Sequence, residues 1–265
     1  MALPKLRLPR RSRPALPPPE PVEASPEGEG ARMGFFDHLE ELRNRLFIAV
    51  VALVIGTSVG VAIATPVLEF LIAPYGNRLQ TLGPTEGVVA YFRVALMVGG
   101  ALAIPMITYQ LLAFILPALT RRETRILLAS IFPVTLLFII GVGFAWFILV
   151  PPAFNFLQGF QTDVFNPEWT ASEYLGFVTA LLFWMGVAFE TPLVFFVLSI
   201  LGTVTARTLI RNWRIAVVAS AMAAAVITPT VDPVNMALVM GPLLALYLLS
   251  IVLVYFGARY NRAEA

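Results

Sequence analysis

The chain has 265 residues, of which 58% are hydrophobic and 13% charged, and its mean hydropathy is +0.83; these values belong to an integral membrane protein and exclude an ordinary soluble domain. There is no cysteine and one histidine, which excludes disulfides, thiolate metal sites, cysteine nucleophiles and multi-histidine metal cages. A net charge of +2 and a pI near 9.1 raise the question of an anionic partner, which the placement of the basic residues answers below without nucleic acid.

Residues 1–32, including "RRSRPALPPPEPVEASPEGEG", are rich in proline and mixed charge and poor in apolar side chains. Such a composition cannot bury enough surface to offset its ordering entropy, so a disordered cytoplasmic tail is expected. The tail lacks the apolar stretch of roughly 7 to 15 residues that a cleaved signal peptide requires. Residues 33–258 are expected to form one transmembrane domain and 259–265 a short cytoplasmic C-terminal tail.

The block "FFDHLEELRNRL" at 35–46 follows. Phe35, Leu39, Leu42 and Leu46 recur at helical spacing on one face, while Asp37, Glu40, Glu41, Arg43 and Arg45 point elsewhere. A segment of this kind can lie at the interface and then turn into the membrane. Part of its charge has a local explanation: Asp37 with Glu40 resembles a cap, and Glu41 with Arg45 is an i, i+4 pair. His38 has no cysteine, second histidine or hydroxyl motif beside it, and reads as an interfacial polar residue rather than a catalytic base.

A membrane span needs about 20 apolar residues. Uncharged stretches of that order run over Leu46–Leu68, Val94–Thr120, Ile126–Thr162, Ile215–Val231 and Pro233–Ala258, and Tyr174–Ala206 is interrupted only by Glu190. Six membrane helices are therefore expected. The third should end near Pro151 and Pro152, since proline in a helix interior removes a hydrogen bond and clashes with the preceding turn, leaving Asn155, Gln158, Asn166 and Pro167 in a loop. The last two helices are expected to be short: from Ile215 to the proline at 229 there is room for about 21 Å of helix, against a hydrocarbon core of about 30 Å. A span extended by flanking turns, a re-entrant pair, and a short hairpin that thins the bilayer all remain open.

Orientation follows from charge. Sixteen of the eighteen lysines and arginines fall in the N-terminal segment, the second-to-third and fourth-to-fifth helix connections, or the C-terminus; only Arg78 and Arg93 lie on the other side. Cytoplasmic loops carry such an excess, so both termini should be cytoplasmic. On this basic face Glu41 and Glu123 stand near helix ends, and a carboxylate there is a natural partner for a guanidinium, which it matches in planar, bidentate fashion. Glu190, in "WMGVAFETPLVFF", has 16 uncharged residues on each side. A charge at that depth costs at least about 2.5 kcal/mol on insertion scales, so it is either a hydrogen-bonded neutral acid between helices or part of a functional polar patch; Pro192 adds a local distortion.

Five motifs in order, "HLEELRNRL" at 38–46, "LIAPYG" at 71–76, "YQLLAFILPALTRRE" at 109–123, "GVAFETP" at 186–192 and "ITPTVDPVN" at 227–235, resemble the TatC family, the multispanning component of the twin-arginine protein translocase. The resemblance covers roughly residues 34–257. It implies an all-α, six-helix, N-in/C-in glove-shaped bundle in the cytoplasmic (inner) membrane, neither an enzyme nor a holder of cofactor or metal, that receives twin-arginine signal peptides and exports folded cargo under the proton-motive force. It further implies that Glu41 and Glu123 receive the arginines, with Arg43 and Phe114 as neighbouring recognition residues. Glu190 would contact TatA and TatB type single-helix partners within an oligomeric complex, and Thr228 lies in the region implied to bind such a helix. Pro74 and Asp232 match extracytoplasmic loop positions. An aspartate that the family often carries ahead of the tyrosine matching Tyr174 is absent, and Glu168 or Glu173 is the candidate substitute. The reading from another class is a proton-coupled small-molecule transporter with Glu190 as proton carrier; it lacks a second buried charge or converging polar groups. An intramembrane hydrolase is disfavoured, because the single histidine precedes the first span.

Overall fold

A computed structural model describes residues 35–75, 79–115, 121–161, 164, 168–228 and 232–263, so the N-terminal tail expected over 1–32 lies outside them. The described chain is nearly all helical, with α1 (Phe35–Ile72), α2 (Glu86–Ile115), α3 (Arg121–Phe144), α4 (Val150–Gly159), α5 (Ala171–Ile200), α6 (Ala206–Arg211), α7 (Trp213–Ile227) and α8 (Pro233–Ala263). The only extended pairing among the described residues is one isolated bridge between Gln80 and Thr170. Five helical stretches are long and apolar enough to cross a membrane, and α7 is a shorter apolar helix; together they make the six expected spans.

Three expectations change. The charged block at 35–46 is not a separate segment ahead of the first span: it is the first three turns of α1, one helix of 38 residues that at 1.5 Å per residue is about 57 Å long. The third span does not end at Pro151 and Pro152. A π-helical turn over Ala145–Leu149 precedes them, in which the Val150 N–H donates to Ala145 O, and α4 then restarts with its prolines in the first turn and continues to Gly159. A first-turn proline gives up an N–H that has no intrahelical partner anyway, and the wide turn before it absorbs the ring. Asn155 and Gln158 are accordingly helical, not in a loop. Finally, α7 is short at 15 residues, about 22 Å, but α8 runs for 31. Nothing in Pro233–Gly257 interrupts its apolar run, which alone has 25 residues.

Helix α5 is the hub, packing on α2, α3, α7 and α8, whereas α1 packs on α2. That last contact depends on small residues. "GTSVG" at 56–60 carries two glycines four apart: a Cβ on Gly56 would stand 2.4 Å from Gly99 O, one on Gly60 2.2 Å from Ala95 O, and one on Gly99 2.4 Å from Thr57 Cα. The backbones touch where side chains would separate them, as small-residue motifs allow between membrane helices. Tyr91 Oη adds a hydrogen bond to Val61 O at 2.7 Å. The other face of α1, with Phe47, Val54 and Ile55 exposed, suits contact with lipid chains.

The largest core lies where α5 begins. Tyr174, Leu175, Phe177, Val178 and Leu181 are buried there against Leu71, Val94, Leu149 and Ile227. Tyr174 Oη donates to Leu71 O at 2.7 Å across the bundle, and its ring meets Tyr75, Phe154 and Trp169.

Candidate functional site

Helix α1 begins beside the end of α2, and the polar side chains of both meet there. Arg45 donates twice to a single oxygen of Glu41, from Nε at 2.9 Å and from Nη2 at 2.5 Å, and its Nη1 reaches Gln110 Oε1 at 3.4 Å. The i, i+4 spacing brings Glu41 and Arg45 together locally, and the close α1–α2 contact adds Gln110 from 65 residues away. Both charged side chains are only about a fifth exposed, 18% for Glu41 and 25% for Arg45. Arg45 spends both contacts on Oε1, and the second oxygen, Oε2, is buried and accepts no hydrogen bond from the described residues. His38 Nδ1 stands 4.0 Å from it, and the His38 ring stacks on Phe114 at 4.5 Å with an interplanar angle of 15°.

Of the residues expected to act together, the fold brings Glu41 and Phe114 to one spot through His38. It does not bring Arg43, which is 72% exposed, pairs with Glu40 at 3.0 Å, and points away from Glu41. Glu123 lies in the first turn of α3, and its side chain is outside the described residues. Gln110 was missed by sequence reasoning, and His38 and Arg45 were given a merely local role. Their spacings to Glu41, three and four residues, were the available signal; for Gln110 there was none, since its position depends on how α1 crosses α2.

A second polar pair sits at membrane depth. Glu190 is 4% exposed, and Thr108 Oγ1 of α2 donates to its Oε2 at 2.7 Å, while Oε1 is buried without a partner. Each lies close to a proline in its own helix, Pro105 and Pro192, where a carbonyl one turn back loses its usual N–H. Among the described residues one hydroxyl is thus the only hydrogen-bond donor to this carboxyl side chain.

The remaining candidates are at the far end, and several have local tasks. Thr228 closes α7: its N–H and Oγ1 both donate to Ala224 O, at 2.9 and 2.7 Å. Asp232 caps α8, accepting from Asn235 N at 2.7 Å and Asn235 Nδ2 at 2.9 Å. Pro74 is exposed in a 3-10 turn over Ala73–Tyr75. Glu168 accepts from Gln80 Nε2 at 2.6 Å, and at the start of α5 the Glu173 N–H donates to the N-cap hydroxyl of Thr170, which in turn donates to Glu173 Oε2, both at 3.2 Å. No group of three or more His, Asp or Glu side chains with metal-binding placement occurs among the described residues.

A bundle of five apolar helices long enough to cross a membrane and a sixth, shorter one defines a polytopic, all-helical membrane protein. Residues 37–242 match the family model described as TatC, Sec-independent protein translocase protein. The chain is 34% identical over 220 residues to a Sec-independent protein translocase protein TatC of Synechocystis, covering 83% of this chain and 87% of that one. It is 38% identical over 248 residues to the TatC of Deinococcus radiodurans, covering 90% and 92%. A crystal structure described as the twin-arginine translocase receptor TatC superposes with a TM-score of 0.74 at 37% identity, over 84% of this chain and all of that one. The chain belongs to the TatC family: it is a multi-pass membrane protein and a subunit of the twin-arginine, Sec-independent protein translocase.

Proposed function

We propose that this protein is the receptor of its translocase, holding the paired arginines of signal peptides at Glu41 and Glu123 on the cytoplasmic face of the inner membrane. The observation that carries the reading is the unused oxygen of Glu41. A carboxylate can take a guanidinium on each oxygen, and Arg45 occupies only one. An incoming arginine that moves His38 aside gains Oε2, and Phe114 supplies an aromatic face against which a guanidinium can stack. Glu123, in the first turn of α3, supplies the second carboxylate. Arg43, exposed and paired with Glu40, acts outside this pair, in contact with the peptide backbone or flanking residues.

Both termini face the cytoplasm in this reading, in keeping with the sixteen basic residues on that side. Glu190 and Thr108 form the intramembrane contact for single-helix partners of the TatA and TatB type, and the end of α7 near Thr228 borders the region such a helix approaches. Pro74 and Asp232 shape the opposite face, Asp232 by capping α8. Folded cargo moves under the proton-motive force, with no nucleotide hydrolysis by this chain.

The test is charge reversal. In Glu41→Lys with Glu123→Lys, cross-linking of a twin-arginine signal peptide to the membrane-inserted protein is expected to vanish. Undiminished cross-linking in the double reversal would refute the assignment.

A further inference from the structure

About 25 Å along α2 from Gln110, at the end where α5 begins, a cavity of about 600 Å³ opens between α2, α5 and α7. One part of its wall is polar, with Arg93, Ser172 and Glu173, and the rest is apolar, with Leu96, Met97, Phe183 and Val226, apart from Thr179, whose hydroxyl donates to Leu175 O. Arg93 lies seven residues into α2, counted from Glu86, which is about 10 Å of helix. An unpaired cation there is costly unless it reaches the headgroup region or an anion.

Its surroundings supply little. One Arg93 N–H donates to Ser172 O at 2.8 Å, out of the five that a guanidinium carries. Every ion pair among the described residues belongs to α1, so no carboxylate among the described residues lies within 4.0 Å of Arg93. The neighbouring acids are engaged otherwise: Glu86 accepts the backbone N–H groups of Leu82 and Ser172 at 2.7 and 2.9 Å, and Glu168 accepts Gln80. Glu173 is held by the Thr170 hydroxyl at 3.2 Å and faces the same cavity as Arg93 without pairing to it. The space for the guanidinium is also built in, because a Cβ on Gly176 would stand 2.2 Å from Arg93 Nη1.

Two opposite charges thus line one cavity, separately, above an apolar wall. We propose that this cavity binds one phospholipid of the surrounding leaflet, with its phosphate on Arg93, its headgroup amine toward Glu173, and the first methylenes of its chains against Leu96, Met97, Phe183 and Val226. A phosphate accepts a guanidinium through two oxygens, and a headgroup that also carries an ammonium matches both charges where a purely anionic one matches one and is repelled by the other. A volume of this size accommodates a headgroup and the start of its chains. It holds only about one turn of a helix 10 to 12 Å across, so a spanning partner helix is the poorer occupant.

The site is tested on the full-length protein in neutral detergent, incubated with phosphatidylethanolamine or phosphatidylglycerol and read by native mass spectrometry. Wild-type protein is expected to keep one ethanolamine lipid at about tenfold lower concentration than the glycerol lipid, a difference of about 1.4 kcal/mol. Arg93→Gln should lose that binding about tenfold, and Arg93→Lys should retain most of it. Glu173→Gln, which keeps a capping residue at the start of α5, should bind both lipids alike. Val226→Trp fills the cavity from α7 without touching the guanidinium and should also lose the lipid, which keeps the test decisive if Arg93→Gln does not fold. Equal, unselective adducts in wild type, Arg93→Gln and Val226→Trp would overturn the proposal. So would cross-links from position 226 to a partner helix in a protein that carries no bound lipid.

Discussion

The two ends of the bundle are built differently. At the Tyr174 end, α5 is tied to Leu71 by the Tyr174 hydroxyl, to Gln80 by a backbone hydrogen bond from Ala171 at 2.8 Å, and to α2 through Glu86 and Arg93, around an aromatic cluster of Tyr75, Phe154, Trp169 and Tyr174. At the Glu41 end, α1 meets α2 through one Arg45–Gln110 hydrogen bond and one His38–Phe114 ring stack, beside a carboxylate–arginine pair that lies within α1. The first end is cross-braced by hydrogen bonds between elements, although Trp169 Nε1 is buried there without a partner among the described residues. The second leaves an oxygen of Glu41 unsatisfied on a half-open surface. A buried acceptor without a donor costs on the order of 1–3 kcal/mol, and such a cost is recovered when a ligand supplies the missing donor. One end is a fixed frame, therefore, and the other is an incomplete site held in place by it.

The contrast can be broken from either side. The largest effect is expected where the frame carries the site. Gly99→Leu drives a side chain into the Thr57 backbone, and forcing α1 from α2 should cost about 3 kcal/mol or more. The melting temperature in detergent should fall, and peptide cross-linking should fall with it although Gly99 is far from Glu41. Tyr174→Ala removes the centre of the aromatic cluster and should cost about 3–5 kcal/mol, also seen as a lower melting temperature. Signal-peptide affinity of the folded fraction should remain unchanged; a fall there would mean that the two ends are coupled.

Smaller effects sharpen the picture. Thr108→Val leaves both oxygens of Glu190 without a hydrogen bond, and should cost about 1–3 kcal/mol; Glu190→Gln in the same background should recover part of this, as read in a double-mutant cycle by thermal unfolding. Asp232→Ala should cost about 1 kcal/mol through the lost cap of α8, with no effect on peptide binding. Arg43→Ala, on an exposed pair, should change stability by less than about 0.5 kcal/mol, so any loss of peptide binding in it reports contact with the ligand.

Much of this was legible in the chain. The spans follow from uninterrupted apolar runs, and Glu41 and Glu190 stand out because a charge beside or within such a run needs a reason. What could not be read has a common cause. The third span passes Pro151 and Pro152 because a π-helical turn at Ala145–Leu149 sets those prolines into a new first turn, a backbone adjustment with no marker in residue type. Gln110 joins Arg45, and Thr108 joins Glu190 across 82 positions, through helix crossings that hydropathy does not encode. The glycines at 56, 60 and 99 did carry that information, since their spacing marks the line along which α1 and α2 touch. Thr228 and Asp232, in turn, owe at least part of their presence to ending α7 and starting α8.

The central claim is that the spare oxygen of Glu41 selects an arginine. The most direct measurement compares the affinities of a twin-arginine peptide and its twin-lysine counterpart for the full-length protein, in wild type and in Glu41→Ala. An arginine can aim two N–H groups of its planar fork at the spare oxygen, as Arg45 does at Oε1, and stack on Phe114, whereas a lysine ammonium is a point charge without that fork, so the wild type should prefer arginine by about tenfold or more, a difference of about 1.4 kcal/mol, and the substitution should bring the ratio close to one. A preference that survives unchanged in Glu41→Ala would contradict the account.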